Sequence, residues 1–386
     1  MPISSEWLLW AVSFVLAGSY VWLLRHYRRV WHALPEVVAD GHFLPTVRIS
    51  VLIPARNEAT TIRTCLDSLA RQTYPGALFD VFVIDDYSTD ETACIARTVE
   101  GLSVQVLSLA DVLSPDAGRV AYKKEALRLG VAASKGALIV CTDADCILPA
   151  DWLMRMAWAY EKRGWLCITG PVLTLEEKGL LARFQCLDFA GMMLLTAAGI
   201  ADGNTHLANG AAFAYARTAY DAVHGYEGLT HLASGDDILL LHKIQHRFPG
   251  KVGFLKTPEA VLTRAQPNWK ALFRQRLRWG TKSGQYQDKK IAMILGLVFL
   301  LSWAVLFSLV AMWFYPLFAG GLFVLLAGSK GISDYGLLRD ASRYFRRAWW
   351  MRSFLPAEGI HVLYIAVVGL ASNLLRTYSW KGRRVS

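Results

Sequence analysis

Between Lys290 and Lys330 the chain runs from Ile291 to Ser329, 39 residues, without one charged side chain. Crossing the hydrocarbon of a bilayer as a helix takes roughly 20 apolar residues. The run is too long for one comfortable crossing and long enough for two near-minimal ones. Trp313, Phe314, Tyr315 and Pro316 mark an interfacial turn between them, since aromatic rings favour headgroup depth.

A second apolar run, Trp7 to Leu24, is followed by Arg25, His26, Tyr27, Arg28 and Arg29. A signal peptide would carry its charges before the run and a small-residue cleavage site after it. The reversed order predicts a retained anchor over residues 1–30, with a cytoplasmic continuation by the positive-inside rule. A further run, Gly359 to Leu375, follows Arg343, Arg346, Arg347 and Arg352. The region 286–386 therefore carries two to three hydrophobic segments. Three crossings would leave Lys381, Gly382, Arg383 and Arg384 outside, so one segment is expected to be re-entrant or interfacial. The stretch Arg339 to Arg352, with Trp349 and Trp350, suits the membrane interface beside anionic headgroups or a positive-inside loop.

With 54% hydrophobic and 19% charged residues, the chain is neither disordered nor low-complexity. Its formal net charge of +10 clusters beside the apolar runs and not along an aromatic-studded groove, so nucleic acid is not an expected partner. Cys65, Cys94, Cys141, Cys146, Cys167 and Cys186 form no C-x-x-C pair and no zinc spacing with His, and read as free thiols in a reducing compartment.

Between about residues 45 and 285, short apolar runs alternate with amphipathic ones. Val47 to Pro54, Phe79 to Ile84 and Ala137 to Cys141 read as buried strands. Ile62, Cys65, Leu66 and Leu69 share one helical face, Tyr122 to Ala133 reads as a helix, and Ser88-Thr-Asp-Glu91 reads as a capping box. Such alternation predicts an α/β domain with a mostly parallel sheet covered on both faces.

Each of these strands ends in polar residues: Pro54-Ala-Arg56-Asn57-Glu58, Asp85-Asp86, and Asp143-Ala-Asp145. One aspartate at a strand end commonly forms a turn or a cap. Three strands delivering acids to one edge fit the crevice where open α/β sheets bind ligands. Asp143 and Asp145 suit Mg2+ or Mn2+, hard cations that combine carboxylates with substrate phosphates. No glycine-rich dinucleotide or P-loop fingerprint is present, so phosphate charge falls to the metal and to Lys123, Lys124 and Arg278. Ser234-Gly-Asp236-Asp237 precedes the apolar segment Ile238 to Leu241 and serves either as a helix cap or as a source of a general base. Gln275, Arg278 and Trp279 lie at i, i+3 and i+4, one helical face, which fits a nucleotide-sugar clamp or a basic helix at a membrane surface.

Taken in order, these motifs resemble the membrane-bound family 2 glycosyltransferases. The likeness rests on Pro54 to Glu58, Asp85 to Asp90, Lys123-Lys124, Thr142 to Asp145, Asn209-Gly210, Asp236-Asp237 and Gln275-x-x-Arg278-Trp279. It implies a cytosolic GT-A (Rossmann-like) α/β domain over 45–285 with flanking transmembrane helices. It further implies that Asp85 or Asp86 contacts uracil and ribose, and that Asp143 and Asp145 serve the sugar diphosphate and its Mg2+ or Mn2+. Asp237, beside Asp236, matches the catalytic base, while Gln275, Arg278 and Trp279 hold donor and acceptor. Pro54, Arg56, Asn57, Glu58, Lys123 and Lys124 fall on the donor side, Asn209 and Gly210 on the acceptor side. Tyr87 stands where glycine is frequent, which reshapes the nucleotide pocket. Ala212 stands where asparagine is often seen, which removes an acceptor-side hydrogen bond.

The resemblance thus implies a metal-dependent inverting hexosyltransferase, integral to the cytoplasmic membrane. It would move sugar from a nucleotide-sugar donor, a UDP-sugar first, to the hydroxyl of a membrane lipid or growing glycan. Four hydrophobic segments make a meagre pore, so a lipid acceptor is preferred over a processive polysaccharide synthase. Intact acids at all four positions speak against an inactive scaffold or lipid-binding module.

Overall fold

The computed structural model describes residues 5–38, 41–114, 121–175, 178–203, 207–229, 232, 235–280, 289–374, 378–380 and 383–385. Ser234 of the Asp236-Asp237 motif and the terminal Lys381 and Gly382 lie outside them. The chain forms two compact units: Met1–Leu34 with Glu176–Ala198 and Ala265–Tyr378, and Pro35–Leu175 with Gly199–Arg264 and Ser379–Ser386.

The second unit is built on strands β1 (Ile49–Ala55), β2 (Phe79–Asp85), β3 (Val104–Ser108) and β4 (Leu138–Cys141), all parallel. Between and after them come helices α2 (Ile62–Ala70), α3 (Thr92–Arg97), α4 (Tyr122–Ala133) and α5 (Trp152–Arg163). Strands β5 (Cys167–Thr169), β7 (Phe213–Ala216) and β8 (Val252–Phe254) complete a sheet of order β3-β2-β1-β4-β7-β5-β8, with β7 antiparallel to both neighbours. A small parallel pair, β6 (Val172–Thr174) and β9 (Val261–Thr263), lies apart. Helices α7 (Arg217–Ala222) and α8 (Asp236–Arg247) follow β7.

The three strands expected from β-branched runs are present, each displaced by two residues at most. β4 and β7 are buried at every position, as a sheet covered on both faces requires. Helix α4 packs on β1 and β2, and Gly130 permits the approach: a Cβ there would sit 3.0 Å from Leu52 and Ile84 side-chain atoms. Burial of each such aliphatic side chain contributes roughly 1.5–3 kcal/mol. The chain winds outward from β1 to β3 and returns on the other side with β4. The switch point therefore lies between β1 and β4, whose carboxyl ends carry Arg56 to Glu58 and Asp143 to Asp145.

The expected capping box is not formed. Helix α3 starts at Thr92, and the Thr92 amide donates to Asp90 Oδ1 at 3.0 Å. The Ser88 hydroxyl is taken instead by the Asn57 amide at 3.0 Å, a partner a local motif does not register. Of the six cysteines, all free, five are buried and Cys94 is exposed.

The first unit is helical: α1 (Ser5–Ala33), α6 (Leu180–Ala201, as far as Ala198), α9 (Trp269–Gly280), α10 (Lys289–Ala311), α11 (Pro316–Tyr344) and α12 (Phe354–Leu374). Among the described residues, five helices are long and apolar enough to cross a membrane: α1, α6, α10, α11 and α12 with the turn before it. The expected turn separates α10 from α11, with Trp313 89% exposed. Helix α6 was not expected from sequence. It has no apolar stripe, and 78% of its most apolar stretch is buried against 22–28% for the others.

Helix α11 continues 15 residues beyond the charge-free run, which ends at Ser329. Lys330 does not end it because its charge is met inside the unit. Its ammonium donates to Asp334 Oδ2 and Glu358 Oε1, each at 2.6 Å, and lies 3.1 Å from His361 Nδ1, while the Tyr20 hydroxyl donates to Asp334. In the expected interfacial stretch, Trp350 is buried, whereas Trp349 is partly exposed and lies beneath the Arg183 guanidinium.

Candidate active site

The loops after β1 and β2 are stitched to each other. Arg56 Nη1 donates to the carbonyls of Asp86 (2.8 Å) and Tyr87 (3.2 Å), and the Asp86 amide donates to Ala55 O. Asn57 Oδ1 accepts from the Thr89 amide at 2.8 Å, and the Glu58 amide donates to Thr92 Oγ1 at 2.7 Å. Asn57 and Tyr87 both hold φ of +53°, a left-handed conformation that strains residues with a Cβ. At Tyr87 the strain is offset by contacts glycine could not make. Its hydroxyl donates to the Leu113 carbonyl and its ring meets Tyr122 edge-on at 5.8 Å. Asp86 is buried, and Asp85 presents a buried Oδ1 without a hydrogen-bond partner among the described residues.

On the other side of the switch point, Lys123 gathers the acids. Its ammonium donates to Asp143 Oδ1 at 2.8 Å and lies 3.4 Å from Asp236 Oδ2. Burial opposes its charge, but the carboxylates of Asp143, Asp236 and Asp237 raise its pKa above the ordinary lysine range. Gly235, at φ +79°, turns the chain into α8 and sets Asp236 and Asp237 in its first turn. The Gly210 amide donates to Asp237 Oδ2 at 2.8 Å. Asn209 caps its own turn by accepting from the Ala211 amide at 3.2 Å. The structure thus assembles Lys123, Asp143, Asn209, Gly210, Asp236 and Asp237 from four separate segments.

Asp145 Oδ2 accepts from Thr263 Oγ1 at 3.2 Å. Burial first, then the neighbouring Asp143 and Glu58 carboxylates, raise its pKa despite that hydrogen bond. Lys124 is not in the cluster: it turns inward, 1% exposed, and donates to the Leu232 carbonyl. Burial lowers its pKa to about 8 against the opposing pull of Asp236 and Asp237.

Residues 50–220 match the model of Glycosyl transferase family 2. The chain carries a family 2 glycosyl transferase domain. The match takes in every site residue from Pro54 to Gly210 and ends before Asp236, Asp237 and α9. Beta-monoglucosyldiacylglycerol synthase of Synechocystis sp. is 29% identical over 288 residues, 73% of this chain and 56% of that one. The chain thus spans little more than half the length of that relative. Glycosyltransferase AglE of Haloferax volcanii is 35% identical over 107 residues, 28% of this chain and 33% of that one. Among solved structures, mannosyltransferase PcManGT from Pyrobaculum calidifontis, in complex with GDP-Man and Mn2+, covers 95% of this chain and 97% of its own at TM-score 0.55 and 17% identity. The transferase domain is a GT-A-like mixed α/β sheet, and long apolar helices flank it in the chain.

Gln275, Arg278 and Trp279, beyond the matched residues, fall on α9, in the helical unit. Arg278 and Trp279 are half-buried, and Gln275 Oε1 is buried without a hydrogen-bond partner among the described residues. The intervening Arg276, passed over in the sequence, is the buried cation of this helix and pairs with Asp188 of α6. A signal for the pair existed: Asp188 is a lone acid in the apolar run Cys186 to Ala201, where a charge needs a partner. Thr263, which orients Asp145, carried no signal in the sequence.

Proposed function

We propose that this transferase moves a sugar, with inversion, from a nucleotide-sugar donor to a hydroxyl of a membrane lipid. The observation that carries the reading is Asp237, a carboxylate fixed by the Gly210 amide at 2.8 Å beside the Lys123–Asp143 pair. A carboxylate base, together with groups that stabilise the departing diphosphate, is what direct displacement at an anomeric carbon needs.

In this reading Asp85 or Asp86 receives the uracil and ribose, with Arg56 holding their loop in shape. Asp143 and Asp145 would hold Mg2+ or Mn2+. Their all-oxygen donor set suits a hard cation, and the Asp145 pKa, raised first by burial and then by the Asp143 and Glu58 carboxylates, places a carboxylate where a dication would favour its charged form. When bound, the ion supplies charge neutralisation on the departing diphosphate. Asp237 takes the proton of the attacking hydroxyl, and Asp236 keeps Lys123 in place and cationic. Gln275, Arg278 and Trp279 hold donor and acceptor, with Arg278 countering charge as the glycosidic bond breaks.

The lipid acceptor draws support from the Synechocystis relative, named a beta-monoglucosyldiacylglycerol synthase, and from five helices able to cross a bilayer. Basic residues following the apolar part of α1 favour a cytoplasmic transferase domain in an integral membrane protein. The test offers the full-length protein a panel of UDP- and GDP-sugars with membrane lipids and reads products by mass. One lipid carrying one hexose supports the reading. A ladder of masses replaces it with a processive synthase, and no transfer from any donor overturns it.

A further inference from the structure

We propose that Arg276, paired with Asp188 and stacked on Trp279, is a positioning residue that holds the Gln275, Arg278 and Trp279 face of α9 in its working orientation. The proposal rests on the reading of that face given above. Arg276 is 1% exposed and Asp188 9%. The guanidinium lies 4.4 Å from the centroid of Trp279, three residues on, and 5.3 and 5.9 Å from those of Phe189 and Tyr364. Asp188 and Phe189 are consecutive on α6. One turn of that helix thus supplies both the counter-charge and an edge contact to the Trp279 ring at 6.0 Å and 62°.

Stability alone explains this arrangement poorly. A permanently charged group among apolar helices is costly, and apolar residues of similar volume replace buried ion pairs at little or no loss. Arg276 Nε, moreover, has no hydrogen-bond partner among the described residues, and Nη1 reaches only the Met192 sulfur at 3.7 Å. What a planar guanidinium adds is a flat, charged plate against one face of the indole, which a hydrocarbon or an ammonium does not reproduce. With Phe189 at the other contact, the ring has little freedom to swing. Gln275, one residue before Arg276, is held by the same helix with an unpaired buried acceptor, Oε1, suited to a ligand hydroxyl.

The experiment compares Arg276→Lys, Asp188→Asn and Trp279→Ala with the exposed-site control Arg274→Lys, all in the full chain. Transfer kcat, donor KM, acceptor-free donor hydrolysis and Tm are measured. A positioning role predicts that Arg276→Lys lowers transfer kcat about tenfold or more, beyond any change in donor KM, while Tm stays near that of the wild type. Asp188→Asn, which keeps shape and an acceptor oxygen, gives the same split if Arg276→Lys does not fold. Unchanged kcat in folded Arg276→Lys, or a parallel fall of kcat, hydrolysis and Tm, overturns the proposal while Trp279→Ala abolishes transfer. Full transfer by Trp279→Ala overturns the reading of α9 itself, and the proposal with it.

Discussion

The Asp237 carboxylate accepts the Gly210 amide hydrogen at 2.8 Å, a contact between segments 27 residues apart. One oxygen is thereby fixed by the backbone, and Oδ1 accepts from the Ile238 amide at 2.7 Å, so the side chain has a single orientation. As the proposed base, Asp237 owes its placement to the fold and not to the substrate.

Asp237→Asn keeps the size of the side chain and an acceptor for Gly210 but removes the base. Donor affinity, measured by calorimetry, is expected to stay near that of the wild type while transfer kcat falls by about 10²–10⁴-fold. Retained turnover removes Asp237 from the role.

Lys123→Met leaves Asp143, Asp236 and Asp237 facing one another without a cation. Stability is expected to fall by about 2 kcal/mol, less than for a fully enclosed pair because Lys123 keeps some exposure to solvent. The double variant Lys123→Met, Asp236→Asn should recover part of the Tm, since one of the repelling charges is gone. A Tm of Lys123→Met equal to the wild type contradicts the cluster.

Chelation by EDTA is expected to abolish transfer, and Mg2+ or Mn2+ to restore it. Asp145→Asn should raise the metal concentration for half-maximal rate, read from a titration. Full activity in chelator removes the metal from Asp143 and Asp145.

Lys124 ties stability to pH in a calculable direction. Unfolded, it keeps its proton to about pH 10.4; folded, burial brings release down to about 8. Between those values the unfolded chain binds more protons, so stability rises with pH, by up to about 3 kcal/mol across the window. Relative to Lys124→Met, which has no proton to lose, the wild-type Tm should climb between pH 8 and 10. Parallel profiles refute the assignment.

Lys330→Met leaves the Asp334 and Glu358 carboxylates without the ammonium that joins them at 2.6 Å. Breaking such a buried pair costs about 3–5 kcal/mol, and a lower Tm in detergent is expected. The variant Lys330→Met, Asp334→Leu, Glu358→Gln should regain most of it, because no charge is left stranded. Loss of Tm equal to that of the single variant contradicts this.

Much of the transferase domain was legible in local pattern. β-branched runs ending in Pro54, Ile84 and Cys141 marked the strands, and Tyr122–Ala133 is a helix as expected. Local pattern misled where a distant partner competed. Ser88 and Glu91 have capping-box spacing, yet the Asn57 amide takes the Ser88 hydroxyl and Asp90 does the capping. Helix α6 escaped notice because it shows no apolar stripe to distinguish it from a strand-rich core. Lys123 and Lys124 looked alike in sequence. One faces three acids and the other a carbonyl, since neighbours on a helix point about 100° apart.

The sequence by itself determined three strands of the sheet, four of the five long apolar helices, and that the acids follow strand ends. Period, run length and punctuation are short-range properties of the chain. Only the tertiary structure decided that Lys123 joins Asp143 to Asp236, that Lys330 is neutralised from α12, and that Arg276 meets Asp188. Those pairs span 20 to 113 residues of chain, and no local pattern selects one partner among several of equal charge. What selects them is burial, which makes a charge without its partner too costly to keep.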